Sequence, residues 1–375
     1  MNKPTPDHAS RAHALLSASS AHRWLNCQPS AVVAEAYPAQ DTEFTREGTL
    51  AHEVAEIYAR GDCTAPGNEI NQEMIDCATG YRDYIQELTR SEDDIVLLEQ
   101  RVDFSPWVPN GFGTCDCILI QGDKLTIIDY KYGVGVAVSA VDNPQMKLYA
   151  LGALNDYGIA LDVAKVEMHI YQPRINNISV DSLTVAELLD WAEKVVKPAA
   201  ENAIKGKGSY AAGAWCKFCP HAGRCRTLTK VCTEYVETHS LRAAVPVLAP
   251  HEVAEVLQME PLVTLWLKRV KAQAMTTLLD GGEIPGYKVV EGRASRNWAD
   301  ELEVAQELDR QGFSREDYTK TEVLSVAQME KALGKKKVAE LLSGHILKTP
   351  GAPTVAPTSD KRPVYNRADD FENLD

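Results

Sequence analysis

Residues 127–136 read IIDYKYGVGV, an apolar strand that ends by setting Asp129 two residues from Lys131, just before two glycines. Strand alternation puts that acid and that base on one face. Upstream, Gly122-Asp123 reads as a two-residue hairpin turn joining GFGTCDCILIQ (111–121) to KLTIIDYKY (124–132). The turn sets Gln121 opposite Lys124. Carried along the strands, the same register pairs Ile118 with Ile127, Asp116 with Asp129 and Thr114 with Lys131, all on one face. Two opposed carboxylates repel by ~0.2–1 kcal/mol on a solvated sheet, and by more when buried beside isoleucines. A divalent cation accounts for them, because hard Mg²⁺ takes carboxylate oxygens. Lys131 then stands where it can orient an attacking water or stabilise charge on a phosphate. The chemistry that fits is metal-assisted phosphodiester hydrolysis. The plainer alternative is an Asp129–Lys131 salt bridge at a strand end with Asp116 solvated, which leaves the opposed pair unexplained.

The cysteines raise a second question. Nine is an odd count for a disulfide framework. Cys63, Cys77, Cys115, Cys117 and Cys232 show no ligand-like spacing and read as small buried hydrophobes. Cys216-x2-Cys219-x5-Cys225, by contrast, brings three thiolates close together, with Cys27 far upstream.

The elements that must position these residues follow from periodicity. Helices are expected over 17–37, 44–60 and 73–90; in the second, Leu50, Val54 and Ile57 form an apolar stripe beside His52 and Glu56. Three strands are expected over 94–104, 111–121 and 124–132, and a fourth over 163–173. Asn143-Pro144 supplies a cap and first residue for a helix between the last two strands. A helix over 184–205 leads to WCKFCPHAGRC (215–225), and beyond LAPHE near 250 the chain reads as largely helical with one strand-like insert, GYKVVEGR (286–293). The fold class is mixed α/β.

In chain order the sequence has GTLAH ending at His52, GTCD ending at Asp116, IIDYK with Asp129 and Lys131, and QMKLY with Gln145 and Tyr149. These motifs resemble, in order, those of the RecB-like branch of the PD-(D/E)XK nuclease superfamily, with Cys115 in place of the usual proline before Asp116. The resemblance implies a restriction-endonuclease-like mixed sheet core flanked by helices. It implies Mg²⁺ or Mn²⁺ held by His52, Asp116, Asp129 and the Tyr130 carbonyl, with Lys131 as the catalytic lysine. Gln145 and Tyr149 would support the site or the DNA end. Glu99, on the first strand, is either a further metal or water contact or a solvated strand residue. Some members of this branch hold an iron-sulfur cluster on one cysteine before the nuclease motifs and three after, which implies a [4Fe-4S] cluster on Cys27, Cys216, Cys219 and Cys225. Zinc is the rival, with His221 able to replace a cysteine. The opening SSAHRWLNC, the core and the C-terminal GYKVVEGRASRNW with SDKRP look like a family of phage and prophage proteins, implying phage DNA processing or recombination.

The implied organisation is an N-terminal segment 1–16, a RecB-like nuclease domain 17–245, a mainly helical domain 246–347 and an extended or disordered acidic tail 348–375. The formal net charge of −14 excludes coating nucleic acid through bulk charge, so DNA contact is expected to be local. Arg293, Arg296, Trp298 and Lys335 to Lys337 either meet nucleic acid or form a solvated face. There is no phosphate-cradling G-x-x-x-x-G-K-[ST], so a helicase, annealing protein or other recombination factor is the expected partner. No apolar run of spanning length and no leader is read, so a cytoplasmic protein without membrane contact is expected. The alternative function is a noncatalytic nucleic-acid-binding or assembly protein that keeps the nuclease fold.

Overall fold

The computed structural model describes residues 14–37, 43–62, 70–158, 162–240 and 248–290, with a few scattered positions beyond. The segment 1–13, Cys63, Arg293, Arg296, Trp298, Lys335, Lys336 and the tail 348–375 lie outside the described residues. Backbone contacts divide the chain into two units, Met1–Arg296 and Asn297–Asp375.

The helix expected over 17–37 is broken into α1 (Ala21–Asn26) and α2 (Ser30–Ala34). Pro29, which has no N–H to give, lies at the break. Helices α3 (Glu43–Ala59) and α4 (Gln72–Leu88) follow, the second capped by Asn71, whose side chain accepts the Met74 N–H at 2.9 Å. Strands β1 (Ile95–Asp103), β2 (Phe112–Gln121) and β3 (Lys124–Tyr130) then form an antiparallel meander. Gly122 turns the hairpin at a φ of 57°, a left-handed value that glycine adopts without strain. Asn143 caps α5 (Pro144–Tyr157) by accepting from the Gln145 and Met146 amides. That helix carries the chain across to β4 (Lys165–Gln172), parallel to β3, and β5 (Asn177–Thr184) pairs antiparallel at the edge. The order is β1-β2-β3-β4-β5, so the described sheet is mixed and mostly antiparallel.

Every residue of β3 from Leu125 to Tyr130 is buried, because helices cover both faces. On one face Ile118, Leu125 and Ile127 pack with Met146, Leu148 and Leu151 of α5. On the other, Cys117, Ile128 and Tyr130 pack with Val54 of α3 and Tyr81 and Ile85 of α4. Cys77, Cys115, Cys117 and Cys232 are buried, as expected of small hydrophobes. Each buried Leu or Ile contributes about 1.5–3 kcal/mol, and Ile127→Ala would cost about 2–5 kcal/mol.

The helix expected over 184–205 is present but not uniform. A Thr184–Glu187 capping box starts α6 (Val185–Trp191), and a π turn over Ala192–Val196 precedes α7 (Lys197–Ala203), where Pro198 can give no amide to the ladder. Helices α8 (Arg226–Ser240) and α9 (Pro250–Leu279) complete the helical C-terminal part of this unit. The strand expected over 286–293 reduces, within the described residues, to an isolated bridge between Ile284 and Tyr287, with Val290 exposed. Among the described residues no helix is long and apolar enough to cross a membrane.

Candidate functional site

The β1–β2 ladder runs from Ile95↔Ile120 to Asp103↔Phe112 and skips one pair, Glu99 with Asp116. At the gap Glu99 has a φ of 50°, a left-handed value uncommon for a residue with a side chain. Both strands change face there. Leu97 and Val102, five residues apart, both meet the α5 core, as do Cys115 and Ile118, three apart, where unbroken alternation would divide each pair. Glu99 and Asp116 are thereby brought to His52 of α3: one ligand atom from each of the three lies within 4.8 Å of the other two. His52 Nδ1 stands 3.6 Å from Asp116 Oδ2.

The β2–β3 ladder keeps the expected register from Gln121↔Lys124 to Cys117↔Ile128 and stops there. The expected Asp116–Asp129 pair is not a ladder pair, because the Asp116 carboxylate occupies that place and accepts the Tyr130 N–H at 2.7 Å. Thr114 likewise does not pair with Lys131, whose N–H follows β4 instead and donates to the Tyr171 carbonyl at 2.9 Å. The Asp129 side chain is almost fully buried. Its Oδ1 accepts from Gln145 Nε2 at 3.1 Å, and the same amide reaches Tyr149 Oη at 3.4 Å. Lys131 Nζ lies 2.7 Å from Asp129 Oδ2 and pairs with it as an ion pair.

The electrostatics follow from this crowding. Burial pushes the Asp129 carboxyl up; Lys131 opposes that and Asp116 adds to it. Burial also works against an ionised Asp116, but His52, Lys131 and the Tyr130 N–H outweigh it and hold this carboxyl below its ordinary value. Against the pull of burial, Asp116 raises His52, and Asp129 with Asp116 raises Lys131. Glu99 is pushed up to about 7 by burial first, then by Asp116 and Glu56. Three carboxylates thus share one lysine and one histidine. A donor set of one imidazole and several carboxylate oxygens fits a divalent cation.

The sequence reading named His52, Asp116, Asp129 and Tyr130 as ligands. The structure brings His52, Asp116 and Glu99 together and keeps Asp129 beside them, engaged by Gln145 and Lys131. It ties Tyr130 to the site by its amide and by its ring, edge-on to His52 at 5.3 Å. Sequence reasoning missed Gln172. This buried side chain holds the loop after Lys131, donating to the Gly133 and Val136 carbonyls and accepting the Val138 N–H. Nothing in a lone strand-end glutamine marks that role in advance.

The four cysteines line one pocket, together with Arg23, Tyr210, Trp215 and His221. Cys27 caps α1, Cys216 and Cys219 belong to and follow the 3₁₀ turn Ala214–Phe218, and Cys225 precedes α8, where its Sγ accepts the Leu228 N–H at 3.4 Å. Burial pushes the Cys216 thiol up to about 11 and raises Cys219 as well. His221 Nδ1 is engaged by the Tyr37 hydroxyl at 2.7 Å. Helix α9 packs on this segment: Trp266 Nε1 donates to Thr229 Oγ1 at 3.1 Å, and a Cβ on Gly223 would meet the Arg269 carbonyl oxygen at 2.6 Å.

Among solved structures, the crystal structure of SSO0001 is similar at 12% identity, covering 59% of this chain and 91% of that one, with a TM-score of 0.29. A likeness at that level carries no argument. A family model described as "Protein of unknown function (DUF2800)" matches residues 13–363, nearly the whole sequence, and this chain belongs to the DUF2800 family.

Proposed function

We propose that this chain is a metal-dependent deoxyribonuclease with a RecB-like PD-(D/E)XK site in a restriction-endonuclease-like fold. One observation carries the reading: α3, β2, β3 and α5 deliver His52, Asp116, Asp129, Lys131 and Gln145 into one continuous set of contacts. A divalent cation, Mg²⁺ or Mn²⁺, held by His52, Asp116 and Asp129 would supply positive charge for the scissile phosphate and acidity for an attacking water. Lys131 keeps its proton at neutral pH, because the two aspartates raise its pKa. Its ammonium would meet the charge that grows on the phosphate. Gln145 fixes the Asp129 carboxylate and Tyr149 supports Gln145. Burial lowers the local dielectric, which strengthens each of these interactions.

The cysteine pocket supports a second, structural group. One cysteine upstream and three after the sheet, all lining one pocket, suit a [4Fe-4S] cluster, with zinc the alternative; either would tie α1 to the segment before α8. We place the enzyme in phage or prophage DNA processing or recombination, working with a helicase, annealing protein or other recombination factor.

The test compares anaerobically purified wild type with Lys131→Ala on end-labelled linear and closed circular DNA, with Mg²⁺ or Mn²⁺ and with chelator. Metal-dependent loss of linear DNA alone, abolished by the substitution, is the expected result for an exonuclease. Cutting of circles as well keeps the chemistry and makes it an endonuclease. Intact protein that binds DNA and cuts neither would replace this reading with a noncatalytic DNA-binding role.

A further inference from the structure

We infer that Glu99 of β1 is a ligand of the divalent cation, joining His52 of α3 and Asp116 of β2. The inference rests on the proposal that this centre takes a cation, and it adds Glu99 to the residues that hold it.

Atoms bound to one cation at about 2.0–2.6 Å lie no more than about 4–5 Å apart. His52, Glu99 and Asp116 meet that span, and they are the described group that does. Their meeting is built into the backbone. Glu99 and Asp116 occupy the one gap in an otherwise continuous ladder, and the left-handed backbone of Glu99 accompanies the change of face that brings its carboxylate to His52. A strand glutamate held only by its ladder would leave that carboxylate on the α5 side with Leu97.

The carboxylate is also uncommitted. Glu99 makes no hydrogen bond or ion pair to a described residue, and the nearest guanidinium is taken: Arg60 pairs with Glu56 at 2.8 Å and donates to the Leu98 carbonyl at 3.2 Å. Beside the triad the buried Asp129, whose Oδ2 is paired with Lys131 Nζ at 2.7 Å, adds a further carboxylate within electrostatic reach of His52 and Asp116.

Mn²⁺ binding to the full chain, followed by electron paramagnetic resonance, tests the assignment. Glu99→Gln is expected to weaken Mn²⁺ binding about tenfold or more. Glu56→Gln, which removes the same charge from the same neighbourhood but outside the triad, is expected to change it less than about threefold. Glu99→Asp keeps the charge and shortens the reach; it is expected to weaken binding about tenfold too, and it serves if the glutamine variant does not fold. Equal effects of Glu99→Gln and Glu56→Gln, or wild-type affinity in Glu99→Gln, would overturn the assignment alone. A wild type that binds no Mn²⁺ would overturn both the assignment and the proposal beneath it.

Discussion

Two carboxylate–lysine clusters sit at opposite ends of the parallel pair β3–β4, and they behave in opposite ways. At the start of the pair Glu167 accepts from Lys124 at 3.0 Å and from Lys165 at 2.8 Å. Burial works against its ionisation, but the two lysines outweigh it and take the carboxyl down to about 2. At the far end Asp129 has one lysine, a second carboxylate nearby and an almost fully buried side chain, and its carboxyl is pushed up. Both contain Asp or Glu beside Lys within 3.0 Å, so proximity does not separate them. What separates them is the balance of charge. Glu167 has a lysine on each oxygen, whereas the buried Asp129 shares one lysine with Asp116. The first is a balanced ion pair, and the second holds an excess of carboxylates that the proposed cation would offset.

The largest expected effect is on rate. Asp129→Asn is expected to lower DNA cleavage by about 10²–10³-fold, while Glu167→Gln keeps the wild-type rate. Lys131 is about a quarter exposed, so its ammonium can turn to water and Asp116 when Asp129 loses its charge. Equal losses in the two variants would break the contrast.

On the proposed cluster, the cysteine pocket would depend on its own centre far more than the sheet does. The cluster of buried residues around it is small: Cys216, Ala222, Leu228 and Cys232. Cys216→Ser is expected to abolish iron binding, measured by visible absorbance and iron content, and to lower Tm by about 4–8 °C, as a loss near 2 kcal/mol does in a domain of this size. Next comes the packing that carries Gln145. A Cβ on Gly152 would lie 2.9 Å from Val102 Cβ and 3.3 Å from its carbonyl carbon, so Gly152→Ala must push α5 off β1. The expected cost is about 1–3 kcal/mol by thermal denaturation, with a lower cleavage rate as Gln145 shifts from Asp129. An undisturbed rate would mean that Gln145 does not need its present place.

The smallest effect is on acid stability. The folded Glu167 carboxyl titrates at about 2 against an ordinary 4.5, so its contribution is fully present above pH 4.5 and is lost as pH falls from there towards 2. Glu167→Gln is expected to flatten the acid limb of an unfolding profile over that window. An unchanged limb would deny that the two lysines depress this acid.

Most of the sheet was legible because its signals are local. The Gly122 turn set the β2–β3 register, Asn143-Pro144 announced α5, and the apolar runs of β2 and β3 marked strands. The same register was carried three residues too far, to Thr114 and Lys131. It ran through Asp116 and Asp129, but the ladder stops at Cys117↔Ile128, because a side-chain carboxylate replaces a backbone acceptor there. The left-handed conformation of Glu99 has no sequence signature, since LLEQRVDF alternates like any strand. Edge strand β5 was missed because NISVDSLT buries neither face deeply and its apolar alternation fails at Ser182. The reverse error, a strand over 286–293, came from Val289 and Val290, which have the right residue type and no neighbouring strand to pair with among the described residues.

The central claim is the proposed one, that the acids gathered around the end of β3 support metal-dependent cleavage of DNA. Its most direct test is single-turnover cleavage of end-labelled linear DNA by anaerobically purified wild type, measured with Mn²⁺, after chelation, and after Mn²⁺ is restored. The expected result is cleavage that stops with chelator and returns with the metal. Protein shown to carry bound Mn²⁺ at this centre and yet leaving DNA intact throughout would contradict the account.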